Sequence, residues 1–502
     1  MKINQKGGGA LLSYVMMITN VLVKFIYTPF FLRLMGQAEY GLYALAISIV
    51  GYLHILDFGF GSAITRYTVK FSEEGDNDKL LRLYSTLSVI YIIIGTISLL
   101  ICFFLNCFAV DIFGKSMTPD EIWKLRLMLL LCGFNLLFSF PLQISASVLT
   151  AFERFVFKNG VKLIITVLQP FVIILLMYGI GIKSVGVIVV VTVFNLLTYI
   201  LYYGYCRKHL DFKVVFSKFD KSMVRFLVSF SFAMFLLIVF EQFQFNSGQF
   251  VLGIFQGSKI VAVWGISMVF VLNYRSVSTA ITNVFTPTVL KNVYNKDDVA
   301  LSSSINKITH WQIIVLFPVL FNFLLFGKQF LSIWAGDAYV DAYETSSIIM
   351  IPMTFALLLE FSYMVQIAKN DLKYRIITLF GSFLGAFGIV YILCGITLLS
   401  FSYICAISIL VGQLFFVLLY IIRTMHVNFV GLILNMTKSI VIPIAFTIIA
   451  FLILSVLFNE ILGKDYISFA ISVLIYNIIL LSLMWKFTLT PSDRSVIIKM
   501  KS

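Results

Sequence analysis

Charge is what this sequence lacks most. Only 12% of its 502 residues are Asp, Glu, Lys or Arg, against 60% hydrophobic residues and a mean hydropathy of +1.00. A soluble domain of this length must clothe itself in polar side chains, and too few are present. Cysteine is sparse too. Cys102, Cys107, Cys132, Cys206, Cys394 and Cys405 lie in or beside apolar runs without a C-x-x-C pair, which favours small packing residues over metal or disulfide roles. Short alternating strands are missing, and with them a membrane β-barrel. No phosphate-binding loop exists either: Gly114–Lys115–Ser116 lacks the glycine required at position 109, which is alanine, so nothing argues for ATP-driven transport by this chain alone. No enzyme constellation stands out, and the loops are too short for a glycosyltransferase or polymerase domain. The chain reads as a non-enzyme without an organic cofactor or metal.

What is present is a succession of apolar runs, each long enough to cross about 30 Å of hydrocarbon. Length and hydropathy predict an all-α polytopic membrane protein of about 14 transmembrane helices. The spans are 10–34, 40–65, 81–109, 121–150, 160–180, 184–205, 224–253, 260–287, 305–326, 345–367, 376–397, 401–422, 439–459 and 466–486. The first resembles a signal peptide behind Lys2 and Lys6, but Lys24 interrupts it and no A-x-A site follows, so it counts as a span. An even number puts both termini on one side. Connections on that side carry 27 of the 37 Lys and Arg residues, which marks it as cytoplasmic. The net charge of +14 is therefore a topology signal and a contact for anionic lipid heads, with no nucleic-acid partner implied. Trp123, Trp264, Trp311, Trp334 and Trp485 fall near span ends, as an interfacial belt requires. The acidic run Glu73–Asp78 reads as a solvated loop.

The chain divides by pattern into an N-lobe (1–205, spans 1–6), a linker (206–223), a C-lobe (224–422, spans 7–12) and a tail with two extra spans (423–502). The linker alternates basic and aromatic residues and is expected to lie on the cytoplasmic membrane surface. A repeat supports the division. GQAEYGLYALA at 36–46 recurs loosely as GSKIVAVWGIS at 257–267, offset by 221, and TAFERFVFK at 150–158 echoes IAKNDLKYR at 367–375. Copies of six helices each are related by an axis along the membrane normal.

Five charged residues stand inside spans: Lys24, Asp57, Glu241, Arg275 and Glu360. Such groups are costly in lipid and are functional candidates by default. The repeat offset carries Arg275 onto His54, so two basic-capable residues take matching places in the two halves, with Lys24 as a third. A low-dielectric cavity holding that trio suits an anion such as a lipid-linked pyrophosphate. The competing reading is internal pairing, Asp57 with Lys24 and Glu241 with Arg275. Asp57 and Glu241 are equally candidates for coupling to a proton or Na⁺. The polar patch 241–247 is expected to face a cavity, and Glu360 reads either as a satisfied packing carboxylate or as part of a transport site. His54 alone reads as a packing histidine; the repeat raises it. Pro29, Pro141, Pro170, Pro318, Pro352 and Pro443 lie within spans and offer kinks.

The stretches LRLMGQAEYGLYALAISI (32–49) and LDFGFGSAITRY (56–67), with 12 or 14 helices in two lobes, give the chain its likeness. It resembles the Wzx-type oligosaccharide-lipid flippases, or polysaccharide biosynthesis proteins, of the multidrug/oligosaccharidyl-lipid/polysaccharide exporter superfamily. The resemblance implies two six-helix lobes around a V-shaped cavity, alternating access, and export of undecaprenyl-pyrophosphate-linked repeat units across the cytoplasmic membrane for O-antigen or capsule synthesis. It further implies lipid-linked oligosaccharide and membrane lipids as partners, beside a polysaccharide polymerase and glycosyltransferases. In the lipid II arm, basic residues on the first, second and eighth helices line the cavity. Lys24, His54 and Arg275 occupy those helices here, His54 standing for a permanently charged side chain. Two alternatives stay open: a cation-coupled multidrug exporter of the same superfamily, and a non-transporting scaffold for a glycan-synthesis complex.

Overall fold

A computed structural model describes residues 5–210, 212–295, 297–369, 371–424, 466–487 and 494. Among these residues the regular structure is entirely helical. The helices are α1 (Gln5–Met35), α2 (Gln37–Leu53), α3 (Phe60–Glu73), α4 (Asn77–Cys107), α5 (Ala109–Phe113), α6 (Pro119–Ala151), α7 (Phe155–Ile180), α8 (Ser184–His209) and α9 (Lys221–Gln256). They continue as α10 (Ser258–Tyr294), α11 (Asp298–Trp334), α12 (Ala342–Leu357), α13 (Phe361–Ala368), α14 (Leu372–Cys394), α15 (Leu398–Ser408), a π-helical turn (Ile409–Phe415), α16 (Phe416–Thr424) and α17 (Tyr466–Phe487). Ten described helical stretches are long and apolar enough to cross a membrane, α2 through α3 counting as one. α1, α9 and the interrupted pair α12–α13 fill three further predicted spans, and 439–459 lies outside the described residues. In hydrocarbon every backbone donor needs a partner within its own segment, so such sequences form helices. This is an all-α, multi-pass membrane protein.

Contacts divide the chain into two compact units, Met1–Gly265 and Ile266–Ser502, with the dividing point inside α10. Glycine explains why α9 and the start of α10 pack with the first unit. A Cβ on Gly41 would fall 1.8 Å from the Ser258 carbonyl oxygen, and one on Gly248 would fall 2.2 Å from the Trp264 indole. Trp264 is thus fully buried in a helix contact, not in the interfacial belt its sequence position suggests. Trp123 and Trp485 are exposed as a belt requires. α4 and α6 approach by the same means: Cβ atoms on Gly95 and Gly133 would lie 3.0 Å from the Leu137 backbone and 2.9 Å from Leu99. Small residues at helix contacts are what packing in lipid selects.

The two repeat markers share a backbone signature. Gly36 (φ 86°, ψ 159°) and Gly257 (φ 82°, ψ −178°) each join two long helices in a region of conformational space reserved for glycine. Helices also restart 217 residues apart, at Phe155 and Leu372, where the second echo falls. The Gly114–Ser116 segment serves this architecture too, since Ser116 Oγ donates to the Gly253 carbonyl at 2.6 Å near the α9–α10 turn.

The acidic run is more ordered than a solvated loop. Asp76 caps α4 through the Lys79 N–H at 2.9 Å, and Asp78 pairs with Arg82 at 2.7 Å and Lys218 at 2.9 Å. The 206–223 linker is tied to α4: the Val215 and Asp220 N–H groups donate to Ser85 and Thr86 at 2.9 and 3.0 Å. Hydrogen bonds from the Ser222 hydroxyl and the Ser222 and Met223 N–H groups hold the Asp220 carboxyl below its usual range, as befits the N-cap of α9.

In the second unit, buried polar pairs tie the helices. Tyr274 meets Thr354 at 2.7 Å, Gln312 donates to Ser278 at 2.9 Å, and Asn322 and Asn477 exchange amide bonds at 3.0 and 2.9 Å. The last pair anchors α17 to α11, beside Tyr476, Leu480 and Met484. The helices run through Pro29, Pro141, Pro170, Pro318 and Pro352. Interruptions fall elsewhere, at 54–59, 358–360 and 409–415.

Candidate functional site

In the first unit the second span breaks at its charged residues. α2 ends at Leu53, a 3-10 turn covers His54–Asp57, and Phe58 (φ 52°) and Gly59 (φ 72°) both turn left-handed before α3 begins. A non-glycine residue in that conformation costs energy, and Phe58 is held there by stacking on Phe235 at 4.2 Å. Broken helices expose backbone groups, which lipid does not tolerate unless something satisfies them. Here Asp57 does so. Its carboxylate accepts from the Tyr91 hydroxyl, from Gln143 Nε2 at 2.9 Å, and from the Gly59 and Gly61 N–H groups.

Every one of those partners is a donor. Two arrive from other helices, Tyr91 on α4 and Gln143 on α6, and two belong to the break itself. Asp57 therefore pins the break to α4 and α6. Among the described residues no ion pair joins it to Lys24, which lies exposed on α1. His54 is exposed one turn earlier, its ring 5.5 Å from Phe140, which stacks on Tyr91 at 6.1 Å. The structure brings His54 and Asp57 together on one break.

The 241–247 patch packs inside the first unit. Gln244, Ser247 and Gln249 are buried, and Gln242 Oε1 would lie 3.7 Å from a Cβ on Gly51 of α2. The side chain of Glu241 lies outside the described residues, and with it the expected pairing to Arg275.

In the second unit Arg275 and Glu360 line one cavity with Arg375, Ser362 and Gln413. Two backbone irregularities shape it. Between α12 and α13 the chain passes through i→i+3 turns, Leu359 N–H to Ala356 and Glu360 N–H to Leu357, at 3.1 and 3.0 Å. Opposite in sequence, Gln413 sits in the π-helical turn, a rare geometry concentrated at functional positions. Arg375 lies over the Tyr363 ring at 4.5 Å. Sequence reasoning missed Tyr91, Gln143, Arg375 and Gln413. The glutamines carry a signal, being amides inside apolar spans; Arg375 falls by sequence in the connection between the spans 345–367 and 376–397.

A family model described as "Polysaccharide biosynthesis protein" matches residues 7–293, more than half of the sequence. The chain belongs to the polysaccharide biosynthesis protein family. The matched region includes the Gly36–Arg66 stretch with its helix break, and Arg275. Comparison with curated protein sequences gives no match. Among solved structures, the fold is similar to that of the lipid II flippase MurJ in an inward closed conformation, with a TM-score of 0.71 and 15% identity over 97% of this chain and 99% of that one. It is also similar to an inward-facing MATE multidrug transporter (TM-score 0.57, 13% identity, 84% and 94% covered) and to the Vibrio cholerae MATE transporter VcmN (0.53, 13%, 87% and 97%). At these identities the likeness establishes a shared fold.

Proposed function

We propose that this protein is a flippase for lipid-linked oligosaccharide. It would carry undecaprenyl-pyrophosphate-linked repeat units across the cytoplasmic membrane, by alternating access, for surface polysaccharide synthesis. Family membership carries the reading. A polysaccharide biosynthesis protein built of membrane-length helices, sharing its fold with a lipid II flippase, is suited to moving a precursor rather than making a bond. The physical obstacle is the glycan, whose hydroxyls lose their hydrogen bonds in hydrocarbon. A hydrated cleft removes that cost while the lipid tail stays in the membrane.

In this reading Lys24, His54 and Arg275 hold the phosphates. Arg275 supplies a fork, Lys24 a mobile point charge. Asp57 and Glu241 are charge partners or proton or Na⁺ coupling sites, and polymerase and glycosyltransferases act before and after. Both termini are cytoplasmic. The test is surface display of the glycan in a strain relying on this protein: Lys24→Ala and Arg275→Ala are each expected to abolish display while protein abundance holds. Wild-type display in both variants would rule out the basic-cavity mechanism. The shared MATE fold favours a second reading, cation-coupled drug export. That reading predicts increased drug susceptibility in a deletion strain with the surface glycan intact.

A further inference from the structure

We propose that Gln242, Asn246 and Gln249 form a sugar-reading strip on α9, whose amides hold hydroxyl or N-acetyl groups of the glycan during its passage. The inference deepens the flippase reading and rests on it for the ligand, a lipid-linked glycan.

Three observations carry it. The first is position. The three amides are spaced i, i+4 and i+7 in an otherwise apolar segment, which puts them on one side of the helix. Contacts along α9 show which side that is. Phe235 stacks on Phe58 at 4.2 Å, the Gln242 Oε1 would lie 3.7 Å from a Cβ on Gly51, and a Cβ on Gly253 would lie 3.4 Å from Leu45. The helical repeat places Phe235 and Gly253 on the same side as the amides, so the strip runs along α2.

The second is what the amides leave unused. Asn246 Nδ2 donates to Gln242 Oε1 within α9 itself. Among the described residues neither amide bonds across to α2, where Ser48 Oγ turns back onto the Leu45 carbonyl at 2.7 Å. The Gln242 amino group and the Asn246 carbonyl oxygen are therefore uncommitted, and both side chains are half-buried. Gln249 is only 7% exposed, and its amide oxygen has no hydrogen-bond partner among the described residues. Amides that glue membrane helices together do so by bonding from one helix to the next, and these do not. Leaving such groups unpaired is costly, and a ligand that both donates and accepts removes the cost.

The third is the opposing wall. Gly51 contributes no side chain, and Gln242 Oε1 is the one atom of another described helix within 4 Å of where its Cβ would be. Beside it the half-buried Tyr52 ring meets Phe243 edge-on at 5.9 Å. An amide donor and an amide acceptor side by side, next to an aromatic ring, match a sugar, whose hydroxyls each donate and accept. A phosphate calls for cationic donors, and an isoprenoid tail for no donors at all. The three side chains here are neutral and polar.

The experiment measures, by native mass spectrometry, the binding of two lipids to the purified full-length protein in detergent. One is the lipid-linked repeat unit extracted from a strain that relies on this protein for display. The other is the same lipid after mild acid has removed the sugars and left polyprenyl pyrophosphate. The wild type should bind the sugar-bearing lipid about tenfold more tightly than the bare one. Gln242→Leu and Asn246→Leu should each cut that preference about three- to tenfold, as loss of one neutral hydrogen bond does, and leave binding of the bare lipid unchanged. Ser247→Ala, on the other side of α9, should keep the wild-type preference. Gln242→Met, which retains the length of the side chain, carries the test if the leucine variants do not fold. A packing role predicts a lowered Tm with the preference intact. That result overturns the strip, as do equal weakening of both lipids and the absence of any preference in the wild type. A wild type that binds neither lipid would instead sink the flippase reading, and with it the inference built on it.

Discussion

Asp57 shows how a residue can be visible in a sequence while its role is not. A carboxylate in an apolar span is conspicuous, and the sequence leaves it either pairing with a base or coupling an ion. Its partners, Tyr91 and Gln143, come from 34 and 86 residues away, and nothing in local pattern points to them. These hydrogen bonds tie the break to α4 and α6, which supports the lock. Replacing it by asparagine turns an amide toward groups that also donate, and a lost charged hydrogen bond with an unsatisfied donor is worth about 1–3 kcal/mol. Thermal unfolding in detergent should therefore show Asp57→Asn, Tyr91→Phe and Gln143→Leu all lowering Tm, Asp57→Asn the most. Because they share one network, the double variant Asp57→Asn/Tyr91→Phe should cost less than the two single variants together. A carboxylate whose work is proton coupling would behave otherwise: Asp57→Asn would keep the wild-type Tm and lose transport alone.

At the scale of elements, the repeat was readable because it is carried by glycine. Gly36 and Gly257 both adopt φ above +80°, so the motif that recurs in sequence is a backbone turn that recurs in space. The two differ in surroundings, which gives a graded prediction. Around Gly36 a Cβ would meet nothing within 4 Å, so Gly36→Ala should cost only the conformational strain, about 1–3 kcal/mol. At Gly257 the same strain is joined by a contact of 2.4 Å to the Ser116 carbonyl oxygen. Gly257→Ala should consequently lower Tm clearly further than Gly36→Ala; equal shifts would mean that the α9–α10 turn relaxes away from Ser116. The breaks were less legible. DFGFG carries glycines at 59 and 61, and Gly59 does turn left-handed, but so does Phe58, held by a ring on α9. The π-helical turn has no sequence signature that local propensity could reveal. Prolines mark no break here: helices run through Pro29, Pro141, Pro170, Pro318 and Pro352, which membrane helices tolerate where neighbouring groups can take up the freed carbonyls.

For the whole molecule, apolar length is the strongest signal a membrane sequence carries, and the helices follow it closely. Side-chain meeting places do not follow, since helices 100 residues apart can share a cavity. Arg375 shows the difference: its position reads as a cytoplasmic connection, while its guanidinium lines the cavity of Arg275 and Glu360. Orientation rests on charge alone, from the excess of Lys and Arg in alternate connections. It can be tested where the chain is open to solvent. Cys107, which is exposed, and Cys394 are first replaced by serine, whereas Cys102, Cys132, Cys206 and Cys405 are buried. Single cysteines are then placed at Glu73 and at Asp120, both exposed and at opposite ends of α4's hairpin with α6. The charge rule puts Asp120 outside and Glu73 inside. In intact cells a membrane-impermeant maleimide should label Asp120→Cys and spare Glu73→Cys until the membrane is opened. The inverse pattern would reverse the whole bundle, because alternate connections are bound to alternate sides: the Lys- and Arg-rich connections would then lie outside, and the proposed direction of glycan transport would have to be argued from the other face.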